Sequence, residues 1–152
     1  MPFRFRLKPL LKHREFKLRE AQSALGMAES LKMEIQGNID RLVERIAVER
    51  DQFEKEQQMG IETGRYLYFK NHLDILERDL LLLRSELVKA AKEVEFRKVV
   101  MIDCDKSVKV LENMETREKE SYRLMQARKD QKKLDDVAVF KDYRDRPGKG
   151  GK

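Results

Sequence analysis

The chain can reverse its direction at one short stretch, MGIETG, residues 59–64. Gly60 can end a helix because glycine adopts a positive φ at little steric cost. Thr63 can cap the helix that follows, since its hydroxyl can accept a hydrogen bond from a backbone N–H of the first turn. We therefore predict a turn at 59–64, between a first helix at about residues 4–58 and a second helix at about residues 65–140.

Apolar residues recur every three or four positions on both sides of this stretch, which is the spacing of a coiled-coil seam. Eleven of fourteen positions are apolar in the first seam, and twelve of thirteen in the second. The first seam consists of Leu7, Leu11, Arg14, Leu18, Ala21, Leu25, Ala28, Lys32, Ile35, Ile39, Leu42, Ile46, Glu49 and Phe53. The second consists of Phe69, Leu73, Leu76, Leu80, Leu83, Leu87, Ala90, Val94, Arg97, Met101, Cys104, Val108 and Leu111.

These two seams predict an all-α fold, in which two long helices form an antiparallel coiled-coil hairpin. Residue i then lies opposite roughly residue 124 − i, and the second helix extends beyond the first by about twenty residues, where its seam weakens. The alternative is one continuous helix that forms a parallel dimer, since isolated glycines are tolerated within helices. We expect a single domain at residues 1–146 and a disordered tail at 147–152.

The composition argues against a round hydrophobic core. Charged residues make up 41% of the 152 residues, against about 25% in an average globular domain, and there is no Trp. Disorder does not explain the charge, because 40% of the residues are apolar and many recur at regular spacing. A long helix or coiled coil fits this composition better.

Little catalytic chemistry is visible in the sequence. His13 and His72 are far apart, and no metal-binding spacing of His and Cys occurs. The single cysteine, Cys104, falls on the second seam, where a small buried thiol is the ordinary interpretation. We therefore expect that the protein is not an enzyme and has no cofactor or metal site.

The sequence also predicts neither a signal peptide nor a transmembrane segment. The first residues, MPFRFR, lack the apolar run of a signal peptide, and the longest leucine run, residues 80–83, is too short to cross a bilayer. One cysteine cannot form a disulfide framework. We expect a cytoplasmic protein with no transmembrane segment.

A cluster of aromatic and apolar residues follows the turn, and we call it the tip surface. A two-helix seam can bury some of these side chains but not all, so apolar surface should remain exposed there, as it often does at interaction sites. The alternative is that they pack over the turn as a small cap. The tip surface consists of Tyr66, Leu67, Tyr68, His72, Leu73 and Leu76.

Positive charge is concentrated at the two chain ends, which an antiparallel hairpin brings together. The net charge is +5 over residues 1–20 and +4 over residues 126–152, within a total of +6. Such an end should attract an acidic surface or pore, unless it is merely a well-solvated helix end. We call it the basic end, and it consists of Arg4, Arg6, Lys8, Lys12, Arg14, Arg123, Arg128, Lys129, Lys132 and Lys133.

Three segments resemble the FliJ family, the small component of the bacterial flagellar type III export apparatus. They are FRFRLKPLL at residues 3–11, GRYLYF followed by LDILE within residues 64–77, and DQKKLDD at residues 130–136. The likeness extends over nearly the whole chain, including its length, the position of the turn and the basic ends. The last segment is the most distinctive, because coiled-coil seams alone converge easily.

The resemblance implies an antiparallel coiled coil similar to the central stalk of rotary ATP synthases. It also implies three partners: the hexameric export ATPase, the cytoplasmic part of the membrane export gate, and the export chaperones. On that analogy the basic end enters or touches the ATPase ring, and the tip surface is available to the export gate. The protein would then associate peripherally with the inner membrane at the flagellar base.

Three other functions fit the sequence. One is a stalk protein of an injectisome type III secretion system, and another is a generic structural or chaperone-like hairpin. The third is a nucleic-acid-binding coiled coil that uses its basic ends, with an affinity that falls steeply with salt. We do not expect nucleic acid as the partner, because acidic residues interrupt the basic end and no aromatic residues interleave it for base stacking.

Overall fold

The structure, a computed structural model, describes residues 2–145, which form two helices, α1 (Lys8–Met59) and α2 (Thr63–Asp145). The prediction of an all-α fold with two long helices packed against each other is confirmed, and these residues contain no strand. The predicted disordered tail at 147–152 lies outside the described residues. Neither helix combines, over the described residues, the length and apolar character that crossing a membrane requires.

The first helix begins at Lys8, about four residues later than predicted. Pro9 explains the difference: it has no N–H to donate to the carbonyl of Phe5, so a regular helix cannot extend back through the preceding turn. Instead the Lys8 N–H donates to the Phe5 carbonyl at 3.1 Å, and the Leu11 N–H donates to the Leu7 carbonyl at 2.9 Å. Phe5 is buried although it precedes the helix.

The turn between the helices is formed by residues 60–62. Gly60 has a φ of +89°, the conformation expected of a glycine that ends a helix, and its N–H donates to the Gln57 carbonyl at 3.3 Å. The Tyr66 N–H donates to the Glu62 carbonyl at 3.0 Å, so Glu62 occupies the capping position predicted for Thr63. The alternative of one continuous helix is therefore wrong.

Contacts between residues group the chain into two compact units. Unit 1 comprises Met1–Glu15 and Lys106–Lys152, and unit 2 comprises Phe16–Asp105. Each unit contains parts of both helices. The organisation of residues 1–146 as a single domain stays a prediction.

Unit 2 contains the turn and an antiparallel helix pair in the predicted register. Its central cluster consists of Ile35, Ile39 and Ala90, against which leucines of the second seam pack. The polar contacts Glu49–His72 and Arg50–Glu77 join residues whose numbers add to 121 and 127, on either side of the predicted 124. A narrow seam, rather than a round core, holds these segments together.

Unit 1 contains the residues before α1, its first two turns and the second part of α2. The contacts Lys8–Glu115 and Phe3–Tyr122 join residues whose numbers add to 123 and 125, again the predicted register. From residue 127 to residue 145 every residue of α2 is exposed. We call residues 127–145 the α2 extension, and it corresponds to the region where the second seam weakens.

The buried positions follow the predicted seams closely. Of the thirteen buried apolar residues in the described chain, twelve lie at seam positions and only Phe5 does not. Cys104 lies on the seam but is only partly buried. The 4–3 spacing thus predicts which face of each helix is covered, because side chains that recur at 3.5 residues stay on one side of a helix.

Candidate functional site

The tip surface lies in unit 2, where rings from both helices contact one another. The Phe53 ring of α1 is 5.5 Å from both the Tyr66 and Phe69 rings of α2, measured between centroids. The Tyr68 ring is 6.0 Å from the Phe69 ring and is stacked on the His72 ring at 6.1 Å. Tilted and stacked arrangements of this kind add to the stabilisation from apolar burial.

A two-point ion pair closes the helix ends next to the turn. Arg65 Nε and Nη2 donate to the two carboxylate oxygens of Glu56 at 2.8 and 2.7 Å, and the Arg65 guanidinium also lies over the Phe69 ring at 5.4 Å. The hydrogen bonds from Arg65 lower the pKa of Glu56, and the carboxylate raises the pKa of Arg65. The geometry matches the planar fork of a guanidinium to a carboxylate.

A half-buried polar pair lies about two turns further along the seam. His72 Nε2 is 2.7 Å from Glu49 Oε2, an oxygen that is shielded from solvent, and Arg45 Nε donates to Glu49 Oε1 at 3.3 Å. Burial acts to raise the pKa of Glu49, but hydrogen bonds and charge from His72 and Arg45 outweigh it and lower that pKa. Glu49 is therefore held as a carboxylate within the seam.

The tip surface divides into exposed and packed members. Leu67 and Tyr68 are 50% and 67% exposed and can contact another molecule. Tyr66, His72 and Leu73 are half-buried, and Leu76 is 4% exposed, so Leu76 lies in the seam and presents almost no surface to a partner. The contacts thus combine both interpretations of this cluster, because part of it caps the seam and part stays exposed.

Three residues on α1 complete the tip and were not among its predicted members. They are Glu49, Phe53 and Glu56, each in contact with a residue of α2. The register could have identified them, because the 124 − i rule places residue 49 opposite residue 75, less than one turn from His72. In the seam pattern alone, Glu49 is simply one of the polar residues that interrupt the apolar positions.

The basic end lies in unit 1, and the structure brings only part of it together. Six of its cations belong to the portion where the chain before and within α1 packs against α2: Arg4, Arg6, Lys8, Lys12, Arg14 and Arg123. The other four, Arg128, Lys129, Lys132 and Lys133, are exposed on the α2 extension. Within the described residues, no other part of the chain covers these four side chains.

Three cations of the basic end form ion pairs or hydrogen bonds within unit 1. Lys8 Nζ is 3.3 Å from Glu115 Oε1, and Arg14 Nη1 donates to the Ser107 carbonyl at 3.1 Å. Arg123 forms hydrogen bonds with Glu120, which lower the pKa of that carboxyl group and raise the pKa of Arg123. These contacts are largely exposed, so they hold side chains in place more than they stabilise the fold.

A shallow groove of about 710 Å³ adjoins the α2 extension in unit 1. The Phe3 and Tyr122 rings, whose planes are tilted by 48° with centroids 5.7 Å apart, line this groove together with Ala127 and Asp130. The surface that lines it is mainly apolar, and Arg123 also contributes to it. The sequence did not predict this groove, because Phe3 reaches Tyr122 only when both chain segments meet.

The described residues include no group of His, Cys, Asp and Glu side chains arranged to hold a metal ion. The two predicted surfaces combine exposed and half-buried aromatic, apolar and cationic side chains, most of them on helices. Side chains of that kind contribute to protein interfaces. Fold and surfaces together define the class, a two-helix coiled-coil protein.

A family model described as the flagellar FliJ protein matches residues 3–146, and the chain belongs to that family. The predicted resemblance is thereby confirmed over nearly the whole chain. Members of this family are components of the flagellar export apparatus rather than enzymes, and this chain is such a component. Neither the curated proteins nor the solved structures yielded a match to the chain.

Proposed function

We propose that the protein is a non-enzymatic, stalk-like factor of flagellar export that binds the export ATPase ring through its basic end. The tip surface binds the cytoplasmic part of the export gate, and the protein also escorts export chaperones. It is cytoplasmic and associates peripherally with the inner membrane at the flagellar base. The proposal rests on family membership and on the two separate surfaces.

The observation that carries the ATPase assignment is the exposed α2 extension. Arg128, Lys129, Lys132 and Lys133 project from a helix that no described part of the chain covers. Exposed cations on a single helix can enter an acidic ring or groove without first breaking internal contacts. Burial of the apolar side chains of the same extension, such as Leu134 and Phe140, would add to the binding energy.

The rate of ATP hydrolysis by the cognate export ATPase tests this assignment. Addition of the protein should raise the rate or promote ring assembly, and replacement of Lys129, Lys132 and Lys133 by Ala should remove the effect. A variant with Lys32, Lys70 and Lys89 replaced by Ala removes the same charge from exposed positions of unit 2 and serves as the control. Equal activity of both triple variants would refute the assignment to the basic end.

The export-gate assignment depends on the exposed pair Leu67 and Tyr68. Replacement of Tyr68 by Ala should weaken binding to the cytoplasmic part of the gate by at least tenfold, as measured by calorimetry, because exposed aromatic residues often dominate interfaces. The control is Val48→Ala, an apolar side chain of unit 2 with similar exposure, 61% against 67%. Unchanged affinity in the Tyr68 variant, with normal helicity, would rule out this surface.

A further inference from the structure

The exposed ring of Tyr68 is in contact with two other rings of α2. Although Tyr68 is 67% exposed, its ring lies nearly parallel to the imidazole of His72, with 10° between the planes and 6.1 Å between the centroids. The buried Phe69 ring meets it at 72° and 6.0 Å. Residues 68 and 72 are about one turn apart, so their side chains lie on the same face of the helix. The orientation of Tyr68 therefore depends on the orientation of His72.

The imidazole of His72 is in turn held from α1 by Glu49. His72 Nε2 is 2.7 Å from Glu49 Oε2, and Arg45 Nε donates to the other carboxylate oxygen at 3.3 Å. Oε2 is shielded from solvent, so water cannot take the place of the imidazole there. Loss of the His72 contact would leave a shielded carboxylate oxygen without a partner, which is costly. The ring of His72 is thus fixed by a residue of the opposite helix.

Glu49 lies at a position of the first seam where the 4–3 spacing predicts an apolar residue. A leucine there would bury more apolar surface between the helices, so packing alone does not explain the carboxylate. Another polar seam residue of unit 2, Arg97, pairs with Glu93 of its own helix at 2.8 Å. Glu49 instead contacts a side chain of the opposite helix, and that side chain belongs to the tip surface.

We propose that Glu49 is a positioning residue of the tip surface: it holds His72, and His72 holds the ring of Tyr68 in the orientation that binds the partner. This role rests on the proposed binding of the export gate by the tip surface. Glu49 itself is largely covered within the seam, so it acts through His72 rather than by touching the gate. A side chain that is already ordered loses less conformational freedom on binding, which strengthens the complex.

Replacement of Glu49 by Leu separates positioning from packing. Leucine restores an apolar seam residue, so the free energy of unfolding should not fall, but leucine cannot accept a hydrogen bond from His72. Binding of the full chain to the purified cytoplasmic part of the export gate should weaken about three- to tenfold, as measured by calorimetry. Glu49→Gln keeps an acceptor oxygen for His72 and should recover most of this affinity. A Glu49→Leu variant that binds as tightly as the wild type would overturn the proposal.

The matched control is Arg97→Leu, which also replaces a polar seam residue of unit 2 by leucine but lies outside the tip surface. Its affinity for the gate should equal that of the wild type. A double-mutant cycle with Tyr68→Ala identifies the route of the effect. In the Tyr68→Ala background, Glu49→Leu should change the affinity by less than about twofold, since there is no ring left to position. An equal loss in both backgrounds would show that Glu49 does not act through Tyr68 and would refute the proposed role.

Nuclear magnetic resonance of the free protein tests the positioning without any partner. Proton contacts between the Tyr68 and His72 rings should be observed in the wild type and in Glu49→Gln, and should be lost in Glu49→Leu. If the ring contacts respond in this way but the wild type does not bind the gate, the positioning stands and the proposed function fails. Ring contacts that persist in Glu49→Leu would exclude the positioning, whether or not the gate binds.

Discussion

The turn end of unit 2 and the α2 extension in unit 1 are both helical surfaces rich in charge, but they are stabilised differently. At the turn end, rings and ion pairs join the two helices, as in the contacts of Phe53 with Phe69 and of Glu56 with Arg65. Along residues 127–145 every side chain is exposed, and side-chain hydrogen bonds such as that of Gln131 with Asp135 join neighbouring turns of the same helix. The extension is therefore stabilised by interactions within its own helix, whereas the tip is stabilised by contacts between the two helices.

The difference matters because a helix without tertiary packing is only marginally stable in water. The extension is about 28 Å long at 1.5 Å per residue, and no packed partner covers it. It is therefore suited to a surface that becomes ordered by binding. The tip is already organised and can present Tyr68 without further ordering.

Hydrogen exchange should show the largest contrast between these regions. Amides of residues 69–94 should be protected at least about 100-fold more than amides of residues 127–145, because opening the seam requires breaking tertiary contacts and fraying the extension does not. Mass spectrometry of peptic fragments measures both segments in one sample. Equal protection would show that the extension is packed in solution.

Matched leucine-to-alanine substitutions should lower the free energy of unfolding much more in the seam near the tip than on the extension. Leu76→Ala, at a position 4% exposed, should lower the free energy of unfolding by about 2–3 kcal/mol through lost burial and a residual cavity. Leu134→Ala, at a position 64% exposed on the extension, should change it by less than about 0.5 kcal/mol. Urea unfolding followed by circular dichroism gives both values, and a large effect of Leu134→Ala would contradict the comparison.

The Glu49 pair predicts a pH dependence confined to the tip. Because the folded state lowers the pKa of Glu49, its contribution is present above the usual glutamate value of 4.5 and is lost as the pH falls through the lower folded value. Glu49→Gln should therefore cost about 1 kcal/mol at pH 6 and less at pH 3.

Thermal unfolding at both pH values checks this expectation. Glu54→Gln is the control, since Glu54 is exposed on the same helix. A cost of Glu49→Gln that is the same at pH 6 and pH 3 would show that the carboxylate is not held by its partners.

Alanine substitutions at Gly60 in the turn and at Gly26 on α1 should change the stability of the protein in opposite directions. Gly60→Ala should destabilise the protein by about 1 kcal/mol, because a residue with a Cβ is strained at a φ of +89°. Gly26→Ala should stabilise it by about 0.5–1 kcal/mol, since this helical glycine has open space around the added methyl group. Thermal denaturation distinguishes the two, and a stabilising Gly60→Ala would mean that the turn adopts another conformation.

Much of the fold could be predicted from the sequence because its determinants are local or periodic. The turn follows from Gly60, and the buried face of each helix follows from the 4–3 spacing. The start of α1 lies about four residues after its predicted position, because Pro9 lacks the N–H that would continue a regular helix into the preceding turn.

The candidate surfaces could be predicted less completely, since they depend on contacts between distant residues. The sequence predicts that Tyr66, Leu67 and Tyr68 leave apolar surface exposed; Leu67 and Tyr68 are exposed, but Tyr66 is half-buried because its ring meets the Phe53 ring of the opposite helix. The division of the basic end into a packed part and an exposed part depends on where the chain before α1 meets α2. Charge counts along the sequence contain no such information.

Hydrophobic periodicity and one glycine determine that the chain forms two long helices, because each helix needs a covered apolar stripe and the chain needs a place to turn. Tertiary packing decides which polar residues meet across the seam, such as Glu49 and His72, and which helix residues find no cover. The physical reason is that burial and charge pairing depend on the distance between helices, which a one-dimensional pattern specifies only through its register.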